Sequence, residues 1–90
     1  MELINKIIAK QILPSWKFVA SGLEKDFKFS NFNSAFGFIT RVALLAEANN
    51  HHPELLNSFG NVKIRLTTQS HGGVTQLDID LAKKIDTLLS

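Results

Sequence analysis

Glu47-Ala48-Asn49-Asn50-His51-His52-Pro53-Glu54 is the stretch on which the chain turns from helix to strand. Proline pushes the residue before it into an extended conformation, so His52 cannot continue a helix. Upstream, Phe32, Ala35, Phe36, Ile39, Val42, Ala43 and Ala46 form an apolar stripe at helical spacing, which Asn49-Asn50 closes. Ser30 or Asn31 offers that helix an N-cap oxygen. Downstream, Val62, Ile64 and Leu66 alternate with Lys63, Arg65 and Thr67, the pattern of a strand with one buried face. Gly72-Gly73 breaks that strand.

The flanks complete the order. Leu3, Ile4, Ile7, Ile8 and Ile12 recur at helical spacing, and Pro14 ends that first helix. Trp16, Phe18 and Ala20, then Lys25, Phe27 and Phe29, lie on either side of Ser21-Gly22 and predict a β-hairpin. Thr75-x-x-Asp78 has the form of a capping box, with aspartate in the usual glutamate position. Leu81, Ala82, Ile85, Leu88 and Leu89 give the last helix its buried side. The expected order is therefore α-β-β-α-β-β-α in a single domain over residues 1–90. Such an order implies an α+β fold, a four-stranded antiparallel sheet with helices on one face, the second and third helices providing most of the cover.

Composition narrows the classes. The chain has 90 residues, no cysteine and a formal net charge of +2 with dispersed basic residues. A disulfide framework, a thiolate nucleophile and cysteine-held metal are excluded, and nothing argues for nucleic acid. Apolar residues in Met1–Leu13 are interrupted by Glu2, Asn5, Lys6, Lys10 and Gln11, too often for a signal-peptide core or a membrane span. A cytoplasmic domain is the expectation. Small size and an open sheet edge favour a homo-oligomer.

Chemistry concentrates in the histidine loop. Imidazole titrates close to neutrality, which suits acid–base work. Alternation along an extended backbone aims His51 and His52 in different directions. Glu47 reads either as a solvated helix end or, because the dipole disfavours an acid at a helix C-terminus, as a group that orients a histidine or binds a ligand. The plainer reading of His51-His52-Pro53 is a polar connection. No metal is expected, because no histidine pair has the spacing of His-Glu-x-x-His and adjacent histidines rarely converge on one ion. Thr67-Thr68-Gln69-Ser70, taken alone, reads as strand-end turn chemistry. The phenylalanines read as core.

Glu47, His51-His52-Pro53, Phe59, the Val62–Leu66 strand, Thr67-Thr68, Gly73 and Asp78 together resemble the pterin-4a-carbinolamine dehydratases. Trp16 and Asn31-Phe32 extend the resemblance over nearly the whole chain. It implies dehydration of 4a-hydroxytetrahydrobiopterin, or a related pterin carbinolamine, to the quinonoid dihydropterin, with neither cofactor nor metal. Such a hydro-lyase recycles the pterin of aromatic amino-acid hydroxylases, the expected pathway partners. For that chemistry His51 is read as the general acid and His52 as the group for binding and proton acceptance; the reverse assignment fits the sequence too, in which protonation states are invisible. It places Glu47, Asn50, Pro53, Thr67, Thr68, Gln69 and Ser70 around the substrate, in a cleft between the histidine loop and the strand end. It also implies dimers or tetramers. One departure stands out: Gln69 occupies the place of the family's third histidine, and His71 lies two residues out of register. Loss of that acid is expected to slow one 4a epimer. The alternative implied by the same family is a non-catalytic module, binding pterin or serving as a dimerisation and transcriptional cofactor through an exposed helix face.

Overall fold

Alternation in β2 and β4 decides which side of the sheet is buried. The computed structural model describes residues 1–89. In chain order the elements are α1 (Lys6–Ile12), β1 (Lys17–Val19), β2 (Gly22–Lys28), α2 (Phe32–Asn49), β3 (Glu54–Ser58), β4 (Asn61–Leu66), a short 3-10 turn (Gln69–His71) and α3 (Gln76–Thr87). The strands form one antiparallel sheet in the order β1-β2-β4-β3. Leu23 faces Leu66, Lys25 faces Ile64 and Phe27 faces Val62 on one side of it. Glu24 with Arg65 and Asp26 with Lys63 alternate onto the other side. Period-two chemistry therefore separates an apolar face from a charged one.

Helices α2 and α3 cover the apolar face. Phe38 packs its ring against Phe27 and Phe29 at centroid distances of 4.8 and 5.1 Å. Ala35, Val42 and Ala46 from α2 and Ile79, Leu81, Ala82 and Ile85 from α3 complete the core. Fully burying a Phe, Leu or Ile side chain contributes roughly 2 kcal/mol. Lys25 also points inward, and the sheet tolerates it because its ammonium pairs with Asp86 on α3 at 2.8 Å. The other Asp86 oxygen accepts from the indole N–H of buried Trp16 at 3.0 Å.

Several expected core positions lie elsewhere. In α2 the buried seam is rotated toward Phe38, which leaves Phe32 and Phe36 half exposed and Ala43 outside. Two apolar arcs lie side by side on this helix, and the stripe in sequence does not say which one meets the sheet. The aromatic pair Phe27–Phe29 selects Phe38. Not every phenylalanine is core, since Phe59 is also exposed. Helix α1 begins only at Lys6, capped by Asn5, whose side chain accepts from the Ile8 N–H. Leu3 and Ile4 precede it in an extended segment, where the Ile4 N–H donates to the Val74 carbonyl at 2.7 Å. Ala9 and Leu13 anchor this region, while Ile7, Ile8 and Ile12 face outward. Leu89 lies beyond the end of α3 and is exposed.

The β1–β2 turn is short and strained. Ala20 and Ser21 both have positive φ, 47° and 62°, where a side chain is disfavoured. Contacts from β4 compensate. The Arg65 guanidinium donates to the Val19 and Ala20 carbonyls at 2.7 Å, and the Thr67 hydroxyl donates to the Ser21 carbonyl at 2.9 Å.

Candidate active site

The end of α2 sets the histidines. Asn50 adopts the left-handed conformation, with φ 49° and ψ 41°. Its N–H donates to the Glu47 carbonyl at 3.2 Å, and the His51 N–H donates to Ala46 at 3.1 Å. That pair of bonds is a Schellman motif, in which the residue after the left-handed one turns back over the last helical carbonyls. Pro53 then carries the backbone into β3 at Glu54. His51 and His52 consequently diverge.

His51 turns inward to the N-terminus of α3. Thr75 caps that helix, its side chain accepting from the Leu77 N–H, while Asp78 Oδ2 accepts from the Thr75 N–H at 2.9 Å. Asp78 is fully buried. Its Oδ2 also accepts from the Thr68 hydroxyl at 2.7 Å, and its Oδ1 lies 2.5 Å from His51 Nε2. Thr68 is held in turn by Thr75 Oγ1 at 2.8 Å and by a bridge with Gly73. Gly72, at φ 73°, makes the left-handed bend that returns the chain from the 3-10 turn to that bridge. A buried carboxyl is costly unless its oxygens are satisfied, and here both are.

His52 has a different partner. Its Nε2 is 2.8 Å from Glu47 Oε1, and both side chains are largely exposed. Each imidazole therefore uses Nε2 on a carboxylate of its own. A neutral ring that donates from Nε2 presents a lone pair at Nδ1, whereas a protonated ring presents an N–H there. The pair can supply one proton and accept another.

A cleft of about 390 Å³ opens between the two segments. Asn50, His51 and His52 line it from the loop after α2, and Thr67, Thr68, Gln69 and Ser70 line it from the end of β4. Pro53 and Glu47 are not on the wall; Glu47 reaches it through His52. The Thr68 hydroxyl is taken up by Asp78 and Thr75, and it is almost fully buried. His71 is bonded through Nδ1 to Ser70 Oγ at 3.0 Å and does not line the cleft. Glu54, Arg65 and Leu77 also line it. Strand alternation reads Arg65 merely as a solvent-facing residue, and no sequence signal marks Leu77 or Glu54. Asp78 was legible as a helix cap and family match, but its bond to a histidine 27 residues away was not. Among the described residues no cluster of three metal-capable side chains forms.

Residues 2–88 match the family described as pterin 4 alpha carbinolamine dehydratase. A Prochlorococcus marinus protein provisionally named a pterin-4-alpha-carbinolamine dehydratase is 44% identical over 91 residues, covering 93% of this chain and 95% of its own. A Synechococcus relative, provisionally given the same name, is 49% identical over 76 residues, covering 84% of this chain and 82% of its own. Among solved structures, a protein from Brucella melitensis described as a transcriptional coactivator/pterin dehydratase superposes with a TM-score of 0.90 at 34% identity, covering 99% of this chain and 100% of that one. A pterin dehydratase-like protein described as a RuBisCO assembly factor in the alpha-carboxysome shares the fold, with a TM-score of 0.67 at 22% identity over 81% of this chain and 84% of that one.

Proposed function

Because this chain belongs to the pterin-4-alpha-carbinolamine dehydratase family, we propose that it eliminates water from 4a-hydroxytetrahydrobiopterin or a closely related pterin carbinolamine. The C4a–O bond breaks as the hydroxyl is protonated and leaves as water. The N5 proton is lost, and a C4a=N5 double bond forms, giving the quinonoid dihydropterin. The observation that carries this reading is the buried His51–Asp78 pair on one wall of a pterin-sized cleft. Asp78 holds the His51 ring by Nε2, and His51 delivers the proton to the departing hydroxyl. His52, braced by Glu47, binds the ring system and accepts the N5 proton. Asn50, Thr67, Gln69 and Ser70 supply hydrogen bonds to the polar edge of the pterin. Pro53 fixes the loop backbone, and Thr68 acts through Asp78 as a positioning residue. The reaction moves protons only, so positioned acid and base groups suffice. In the cell such a protein would recycle the pterin of aromatic hydroxylases in the cytoplasm.

The test is the dehydration rate of synthetic 4a-hydroxytetrahydropterin with the uncatalysed rate subtracted. His51→Ala should lower the catalysed rate by about 10²–10⁴-fold, the scale of one general acid. A parent protein that adds nothing to the uncatalysed rate, yet binds pterin, would be a binding module instead.

Exposed apolar groups favour self-association as a second element of the proposal. Phe32 and Phe36 stack at 5.7 Å on the outside of α2, and Leu56 is exposed on the edge strand β3. A single small chain rarely leaves such groups to water, so a homodimer or homotetramer is the form we propose; sedimentation as a monomer at micromolar concentration would refute it. If the non-catalytic reading held, substituting both His51 and His52 would leave partner binding intact.

A further inference from the structure

Both segments that build the cleft leave the sheet at one corner. The β2–β4 pairing ends at Leu23 with Leu66, and the β3–β4 pairing ends at Glu54 with Arg65. Asn50, His51 and His52 arrive just before Glu54, and Thr67, Thr68, Gln69 and Ser70 depart just after Leu66. Past those pairs the strand ladder fixes neither segment.

Arg65 occupies that corner and is the only lysine or arginine lining the cleft. An arginine in such a place ordinarily suggests a receptor for phosphate or carboxylate. Here its donors are spent inside the protein. Nη1 donates to the Val19 carbonyl at 2.7 Å and to Glu24 Oε2 at 2.8 Å, and Nη2 donates to the Ala20 carbonyl at 2.7 Å. Nε lies 3.9 Å from Glu54 Oε2. The side chain therefore reaches from β4 across β2 to the β1–β2 turn, and it is only 20% exposed. Gly22 gives it a seat, since a Cβ built there would meet the guanidinium carbon at 2.5 Å. Two residues along the chain, the Thr67 hydroxyl makes a second tie, to the Ser21 carbonyl at 2.9 Å.

The turn that receives these bonds has an unusual backbone. Val19 pairs with Gly22 across a two-residue loop, and Ala20 and Ser21 both have positive φ. Loops of this kind suit Asn-Gly, and alanine and serine are held there against their preference. Such strain persists where the surrounding structure over-determines it, and it gathers at functional sites. The three bonds from Arg65 and Thr67 to the turn end on consecutive main-chain carbonyls, so they depend on its conformation and not on its side chains. Nothing from β1 or the turn lines the cleft itself.

We propose that Arg65 is a positioning residue for the dehydration: it ties the corner of the cleft to the β1–β2 turn and so holds the histidine loop and the Thr67–Ser70 segment in fixed relation. The inference rests on the dehydratase reading for the reaction, and on the bonding of Arg65 for the rest.

Steady-state dehydration by Arg65→Met and by Gly22→Ala tests it, at a temperature where circular dichroism shows each variant folded. Methionine keeps an unbranched apolar stem without the donors, and Gly22→Ala leaves Arg65 in the chain while removing its seat. Each should lower kcat by roughly 10-fold, short of the ~10²-fold cost of a 1 Å misplacement, with KM changed less. A third variant adds Ala20→Asn and Ser21→Gly to Arg65→Met. Asn-Gly adopts the turn unaided, so the unfolding midpoint should climb back toward the parent's while kcat stays low, the tie still being absent. Recovery of kcat together with stability would make Arg65 merely structural and overturn the inference, as would a parental kcat in either single variant. If the parent does not accelerate dehydration at all, the dehydratase reading fails separately. The geometry of the cleft is then read from fluorescence titration with an oxidised pterin, which Arg65→Met should bind roughly 10-fold more weakly. Equal affinities there overturn the positioning role too.

Discussion

His51 and His52 are neighbours in sequence and opposites in environment. The first is 11% exposed and bonded at 2.5 Å to an aspartate with no exposure at all; the second is 58% exposed and bonded at 2.8 Å to a glutamate that is 81% exposed. Both contacts are histidine–carboxylate pairs of similar length, yet their energetics differ in kind. Removing one partner of a buried pair strands a polar group that water cannot reach, at a cost of several kcal/mol. Removing one partner of an exposed pair costs about 1 kcal/mol or less, because water replaces it. Geometry therefore assigns the fixed role to His51 and the adaptable one to His52.

Asp78→Asn breaks the buried pair and carries the largest expected effect. The amide retains the size of the side chain but replaces one accepting oxygen with a donor, facing His51 or facing Thr68 and the Thr75 N–H. Stability should fall by about 3 kcal/mol, at the lower edge of the cost of breaking a buried pair. The dehydration rate should fall by about 10²-fold or more through loss of His51 orientation. Urea unfolding and the rate assay together decide the point. A variant as stable as the parent and equally active would remove Asp78 from the mechanism.

Gln69→His sharpens the comparison by adding a third imidazole to the cleft. The departing hydroxyl can lie on either face of a flat ring, and a single acid such as His51 serves one face. Gln69 lines the same cleft, where its amide can donate a hydrogen bond but cannot supply a proton near neutrality. The parent should dehydrate one 4a epimer roughly 10–10³-fold more slowly than the other, and Gln69→His should recover much of that factor. His71→Ala should leave both rates nearly unchanged, since its ring is bonded to Ser70 and lies off the wall. Equal epimer rates in the parent, with one abolished by His71→Ala, would make His71 the second acid.

The contrast between the pairs was half legible in sequence. Proline after His52 marks the divergence of the two side chains, because it fixes backbone conformation locally. The alternation in β4 and the Thr75–Asp78 box are local signals too, and element order followed from such signals, whereas the central β2–β4 pairing joins distant segments. What joins His51 to Asp78 is tertiary: the C-terminus of α2 must meet the N-terminus of α3, and no spacing encodes that. The rotation of α2 toward Phe38 and the outward turn of Ile7 on α1 belong to the same class. Periodicity identifies apolar arcs but not the surface each will meet. Lys25 shows the converse, an inward charge whose partner, Asp86, is 61 residues away.

Glu47→Gln tests the exposed pair and carries the smallest expected effect. The carboxylate ends α2, where the helix dipole disfavours it, so its removal relieves one small unfavourable interaction while deleting another small favourable one. Stability should stay within about 0.5 kcal/mol of the parent, and the change should shrink further in salt. Catalysis should respond more than stability does. His52 loses the acceptor that orients its ring, and a glutamine carbonyl restores the hydrogen bond without the charge. A KM increase of a few-fold with kcat nearly kept is expected if His52 chiefly binds. A kcat loss approaching that of His51→Ala, with KM unchanged, would instead make His52 the principal proton donor and reverse the roles of the two histidines.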